Sequence, residues 1–227
     1  MIQLGLFTPS WSDCRRDADS VKSHPFVGPL EKIALLRAEQ LDVHRAMVLV
    51  IDVQEKLLPL IRHHDRIVTA VREVLDGTRI FDLPVLATEQ YSKGIGPTVP
   101  PIRDALVACR GRVLEKPTFS AWADAGVREA MLAIDRPQVI VVGIEAHVCV
   151  QQTALDLASR DYDVYVCADA IGSRGRTDYK CALERMRQSG VWVTTVESVL
   201  FELCGRCDTP QFKAMIEVIK ANPPSED

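Results

Sequence analysis

The stretch VIVVGIEAHVCVQQTALDLASRDYDVYVCA, residues 139–168, decides the fold. It opens on the β-branched run Val139–Val142 and closes on a second apolar run, Val164–Ala168. Residues 148–160, between them, read as a helix. Two short apolar strands joined through a helix cannot form a hairpin. They form a βαβ unit, whose parallel strands are buried on both faces.

The same alternation extends in both directions. Apolar runs rich in Val and Ile stand at 46–51 (AMVLVI), 84–88 (PVLAT), 112–115 (RVLE), 138–143 (QVIVVG), 163–168 (DVYVCA) and 191–196 (VWVTTV). Helical stretches are expected at 65–82, 101–109, 121–135, 148–160 and 177–189, with two more at 197–204 and 210–221. The pattern predicts an α/β three-layer sandwich of Rossmann-like type, a six-stranded parallel sheet with helices on both faces. That domain is expected over residues 41–221, with 222–227 (NPPSED) a polar tail. Residues 1–40 are polar and broken by prolines, an N-terminal extension expected to be a loosely ordered arm. Within it LEKIALLRAEQL (30–41) has the spacing of a short amphipathic helix.

The totals exclude several classes. A chain of 227 residues, 47% of them hydrophobic, buries a core without needing disulfides. Seven cysteines, at 14, 109, 149, 167, 181, 204 and 207, are an odd count without a framework, and read as reduced thiols. A net charge of −4 gives no electrostatic footprint for nucleic acid or an anionic membrane. There is no apolar run of about 18 residues that would span a bilayer. Met1 to Phe7 is too short for a secretory signal, and Arg15 and Arg16 stand among Asp13, Asp17 and Asp19, unlike an acid-poor transit peptide. A cytoplasmic location is expected.

In a parallel sheet all strand C-termini share one edge, and ligands bind in a crevice there. The polar residues at those ends are therefore informative. Strand one ends in Asp52 (LVIDVQ), strand two in Glu89-Gln90 (ATEQY), strand three near Lys116 (LEKPTF) and strand five in Asp169 (CADAIGS). Strand four leads to Glu145, His147 and Cys149. A carboxylate, a lysine and a thiol on one edge can perform acyl transfer. Only the thiolate is a good nucleophile, and a free cysteine has a pKa of about 8.5. A helix start at Cys149, with Lys116 nearby, is expected to favour the anion, so that Cys149 alkylates at about pH 6, ahead of the other thiols. Asp52 is placed to take the thiol proton and return it to a leaving group.

The segments VLVIDVQ, EKPTFSAW and VVGIEAHVCVQQTALDLASRDYDVYVCADAIGSR resemble the isochorismatase-like cysteine hydrolase family. The segments ATEQYSKGIGPTVP and TPQFKAMIEVIK are similar to its isochorismatase-domain-containing subgroup of unassigned substrate. The resemblance covers residues 41–221. It implies a triad of Asp52 as base, Lys116 as electrostatic partner and Cys149 as nucleophile. It also implies a cis peptide between Ile144 and Glu145, turning the backbone N–H of Ala146, with that of Cys149, toward an oxyanion. The family's strand order, 3-2-1-4-5-6, would set strands one and four side by side, with Lys116 reaching in from a loop beyond strand three. Isochorismatases proper have an aspartate in place of Cys149, which argues against vinyl-ether hydrolysis here. The Asp-x-His metal motif of nicotinamidases is replaced by EQYSKG, so no metal and no other cofactor is expected.

Other residues near the edge are weaker candidates. Gln54, Gln90, Phe119 and Trp122 are possible lining for a substrate pocket. His147 is two residues from Cys149 in a turn, and its ring need not face the thiol. Arg174 and Arg176 are candidates for an anionic substrate, or for a solvated helix entry. The pair Cys204/Cys207 in CGRC supplies half a zinc site at most. The expected function is cysteine hydrolysis of a small amide or related acyl compound, through a thioester, by a homo-oligomer that binds neither nucleic acid nor membrane. The competing readings are a non-catalytic ligand-binding or scaffold member of the fold, and a thiol redox protein.

Overall fold

The computed structural model describes residues 40–222. The helix expected over 30–41 and Cys14 lie almost wholly or wholly outside these residues. Six strands form one parallel sheet: β1 (Ala46–Ile51), β2 (Val85–Gln90), β3 (Arg112–Lys116), β4 (Gln138–Ile144), β5 (Asp163–Gly172) and β6 (Trp192–Thr194). Their order is β3-β2-β1-β4-β5-β6, every neighbouring pair being parallel. The helices are α1 (His64–Phe81), α2 (Ser92–Ile95), α3 (Pro100–Ala108), α4 (Ala125–Ile134), α5 (Gln151–Ala158), α6 (Arg176–Gln188), α7 (Val196–Cys204) and α8 (Pro210–Ala221). None of the described helices is long and apolar enough to cross a membrane.

Period-two alternation distributes each central strand between two cores. On β1, Ala46, Val48 and Val50 face one layer, with Val71 and Leu75 of α1, Ile102 of α3 and Val199 of α7. Met47, Leu49 and Ile51 face the other, with Met131 of α4, Leu157 of α5 and Met186 of α6. Both β1 and β4 are buried along their whole length, which is why they read as unbroken apolar runs. Each such side chain contributes about 1.5–3 kcal/mol on burial.

Three boundaries differ from those expected by three residues or more. The helix expected from residue 121 begins at Ala125, because Asp124 caps it by accepting from the Val127 N–H at 3.0 Å. The helix expected from 148 is preceded by a wide π turn, Ala146–Val150, and becomes α-helical at Gln151. Strand β5 continues to Gly172, beyond the expected end at 168. Its register with β4 shifts between Val141 and Gly143, after which pairing resumes at Gly143–Ile171.

Gly143 sits at that shift with φ +115°, opposite Ile51 of β1. A Cβ there would collide with the Ile51 carbonyl and lie 2.7 Å from the Ile51 nitrogen. Glycine is the residue that fits where the backbones of β1 and β4 approach so closely. Strand order diverges at this point, and Asp52 is the next residue after Ile51.

Candidate active site

Asp52 leaves β1 in a left-handed conformation, φ +50°, which turns its fully buried carboxylate into the crevice. Its N–H donates to the Thr88 carbonyl at 3.1 Å. Its Oδ1 accepts from Thr88 Oγ1 at 2.7 Å and its Oδ2 from Lys116 Nζ at 2.7 Å. Sequence reasoning did not single out Thr88. The one available signal was a hydroxyl in an otherwise apolar strand, one position before Glu89.

Lys116 is the last residue of β3 rather than part of a loop beyond it. Its register places it beside Gln90 at the end of β2. The side chain is fully buried, with Nζ donating to Asp52 Oδ2, to Gln90 Oε1 at 2.8 Å and to the Thr118 carbonyl at 3.0 Å. The Phe119 carbonyl is a fourth acceptor at 3.3 Å. A lysine can be buried only with a counter-charge and this degree of hydrogen bonding.

Cys149 lies in the π turn, 5% exposed, with Sγ 4.0 Å from Gln90 Oε1. Asp52 and Lys116 both act on its ionisation, and neither they nor the helix start make it acidic. Burial, and then the Asp52 charge, push the thiol up to about 12, against a smaller opposing pull from Lys116. The expectation of an ionised, fast-alkylating cysteine is therefore corrected. Desolvation and the Asp52 charge outweigh Lys116, and the resting Cys149 is a neutral thiol beside an Asp52–Lys116 ion pair.

The peptide between Ile144 and Glu145 is cis. Ala146 is fully buried on the same turn as Cys149. The Glu145 carboxylate points away, accepting from the Arg174 N–H and Nε, each at 3.1 Å. His147 Nδ1 pairs with Ser173 Oγ at 2.9 Å. Glu145 and His147 thus fasten the turn to the end of β5.

The four pocket candidates diverge. Gln54 is fully buried and braces the end of β2, its Nε2 donating to the Gln90 carbonyl at 3.1 Å and the Gly96 carbonyl at 2.6 Å. Gln90 touches Lys116 directly. The Phe119 ring is 56% exposed, and only its carbonyl reaches the cluster. Trp122 is not part of it. The loop after β3 runs down along α5, Ser120 Oγ bonding Asp156 and the Ala121 N–H bonding Thr153 Oγ1 at 2.9 Å. That course delivers Trp122 to Tyr162, edge to face at 5.4 Å, with the Arg160 guanidinium 5.8 Å from its ring centre. Tyr162 immediately precedes β5, so Trp122 lies toward the opposite edge of the sheet.

Asp169 also departs from the crevice. It lies within β5 and caps α7, its carboxylate accepting from the Val196 N–H at 3.0 and 3.1 Å. Cys204 and Cys207 are free thiols. Among the described residues, no group of three or more His, Cys, Asp or Glu stands together in a way that could hold a metal ion.

Comparison with known proteins is consistent with this architecture. Residues 46–198 match the family model described as the isochorismatase domain. The chain is 40% identical over 176 residues to isochorismatase domain-containing protein 1 of Salmo salar, covering 76% of this chain and 60% of the salmon protein. A solved structure described as MAR1 ribonuclease of Caenorhabditis elegans is 36% identical, with a TM-score of 0.77 over 82% of this chain and 95% of the other. YcaC of Pseudomonas aeruginosa, solved with hexane-2,5-diol and covalent acrylamide, is 28% identical, with a TM-score of 0.76 over 82% and 95%. YcaC of Escherichia coli, described as an octameric hydrolase of unknown specificity, has the same identity and TM-score over 81% and 90%.

Proposed function

The chain belongs to the isochorismatase family, and on that premise we propose that it is a cysteine hydrolase cleaving a small amide or related acyl substrate through a thioester. The observation that carries the reading is the fully buried Asp52–Lys116 pair at 2.7 Å, beside the thiol of Cys149. The charges of such a pair are costly to bury, and a buried pair contributes little net stability compared with an apolar substitute. Its placement at the crevice, against a nucleophile, gives it a chemical role.

Because the thiol rests neutral, its proton leaves as sulfur attacks. Cys149 Sγ bonds to the substrate carbonyl carbon while the proton passes to Asp52. The carbonyl oxygen becomes an oxyanion, received by the backbone N–H groups of Ala146 and Cys149. The tetrahedral adduct collapses by breaking the carbon–nitrogen bond, and Asp52 gives its proton to the departing amine. Water then attacks the thioester, losing a proton to Asp52. Collapse of this second adduct releases the carboxylic acid, and the proton returns to sulfur. Lys116 remains an ammonium throughout and stabilises the Asp52 carboxylate whenever it is ionised. The relative bearing covalent acrylamide supports the reading, since acrylamide is a thiol-seeking electrophile.

The test is a library of amides and esters assayed against wild type and Cys149→Ala, with mass spectrometry of the intact chain. A substrate-dependent mass increase located on Cys149, and lost with Cys149→Ala, is expected. Turnover that survives Cys149→Ala would end the proposal. The net charge of −4 gives no field favouring RNA, so we propose a small substrate in place of the ribonuclease activity ascribed to the nematode protein. By analogy with the octameric E. coli relative, we also propose a homo-oligomer, and its free thiols favour a cytoplasmic location. Sedimentation velocity giving a 25.2 kDa monomer at every concentration would refute the assembly.

A further inference from the structure

Gln90 is the polar group at the site to which the triad gives no task. The direction of its carboxamide is fixed by its surroundings. Nε2 donates to the Pro117 carbonyl at 2.9 Å, which leaves Oε1 facing Lys116 Nζ at 2.8 Å and Cys149 Sγ at 4.0 Å. The backbone of Gln90 is clamped on both sides by the buried Gln54, whose Oε1 accepts the Gln90 N–H at 2.8 Å and whose Nε2 donates to the Gln90 carbonyl. Its amide oxygen is therefore held in place, shared between the ammonium and the thiol.

An ammonium has three N–H donors. Around Lys116 the three shortest acceptor distances are to Asp52, Gln90 and the Thr118 carbonyl, with the Phe119 carbonyl next. All three donors have an oxygen acceptor, and Lys116 and Asp52 also lie within hydrogen-bonding reach of the sulfur, so that oxygen and sulfur compete for the ammonium. If Oε1 were absent, the N–H it engages would be shared between the Phe119 carbonyl and the sulfur, strengthening the ammonium's hold on a thiolate. The same oxygen is, beside Asp52, an acceptor for the S–H, a weak donor.

Building on the triad reading above, we propose that Gln90 is a positioning residue that competes with the sulfur for Lys116 and shares the S–H with Asp52, so that Cys149 waits as a neutral thiol until a substrate carbonyl enters. The neutral amide is the side chain that suits this task. A carboxylate would add a second anion beside sulfur, and an apolar residue would release the ammonium. Activation of the nucleophile is thereby tied to an occupied site.

Alkylation of the full-length chain with iodoacetamide tests this without a known substrate. The rate at Cys149 is followed by peptide mass spectrometry at fixed alkaline pH in wild type, Gln90→Met, Gln90→Glu and Asp52→Asn, each confirmed folded by its unfolding midpoint. Gln90→Met is expected to react roughly tenfold faster than wild type, the effect of a roughly tenfold rise in the thiolate fraction. Gln90→Glu, which places a like charge beside the developing thiolate, is expected to react at least about tenfold slower. A Gln90→Met rate at or below wild type, or a Gln90→Glu rate at or above it, overturns the proposal. If Asp52→Asn accelerates alkylation while Gln90→Met does not, the Gln90 inference fails and the triad reading stands. If neither changes the rate, both fail.

Discussion

Asp52→Asn is expected to lose turnover while its Cys149 alkylates faster than in wild type. The two effects have opposite signs because Asp52 does two things. In the proposed reaction it accepts the proton, a role that typically contributes 10²–10⁴-fold, so turnover should fall by roughly that factor. It also opposes ionisation of the thiol through its charge, the second-largest cause of the raised value after burial. Removing the carboxylate leaves Lys116 as the nearest charge, and an ammonium favours thiolate. In wild type, a thiol at about 12 is ionised to roughly one part in 10⁵ at neutral pH, so Cys149 should label after the exposed Cys181 and Cys207. Loss of a structural side chain would slow turnover without speeding alkylation. Retention of turnover in Asp52→Asn would remove the carboxylate from the mechanism.

Lys116→Met is expected to be the most destabilising substitution of a single site residue, by about 3–5 kcal/mol. The volume is nearly conserved, so the cost is electrostatic. A carboxylate that is fully buried loses its counter-charge, and Gln90 Oε1 and the Thr118 carbonyl lose their donor. The double variant Asp52→Asn with Lys116→Met should recover most of this loss, because no unpaired charge remains inside. Urea unfolding reads both, through the midpoint at constant slope. If the double variant is as unstable as Lys116→Met alone, then packing around the lysine stem, not its charge, supplies the stability.

The layout of the sheet was legible because β1, β4 and most of β5 lie between two helical layers, where only continuous apolar runs survive. Asp52, Lys116 and Cys149 were legible for a related reason, since polar residues terminating such runs have to be accommodated at one edge. The ionisation of the thiol was not. Proximity to a helix start can be read from sequence, but burial depends on what closes over the sulfur, and here burial is the larger influence. Trp122 was misplaced because the direction of the loop after β3 is set by Ser120 and Ala121 bonding to α5, partners 36 and 32 residues away. Gln90 was noticed for its position at a strand end. Its contact with Lys116 follows from a β2–β3 register that its own segment does not reveal.

The close approach of β1 and β4 at Gly143 bears on how this chain could change over time. Asp52 follows Ile51, and Cys149 follows Gly143 by one turn, so the spacing of the carboxylate and the thiol is anchored by two main chains in contact. The exposed rings of Tyr91 and Phe119, by contrast, belong to loops after β2 and β3. Such loops can be recast without moving the anchored pair. A lineage built this way can change what its site admits by drift at the rim and keep the buried cluster of Asp52, Lys116 and Cys149 unaltered.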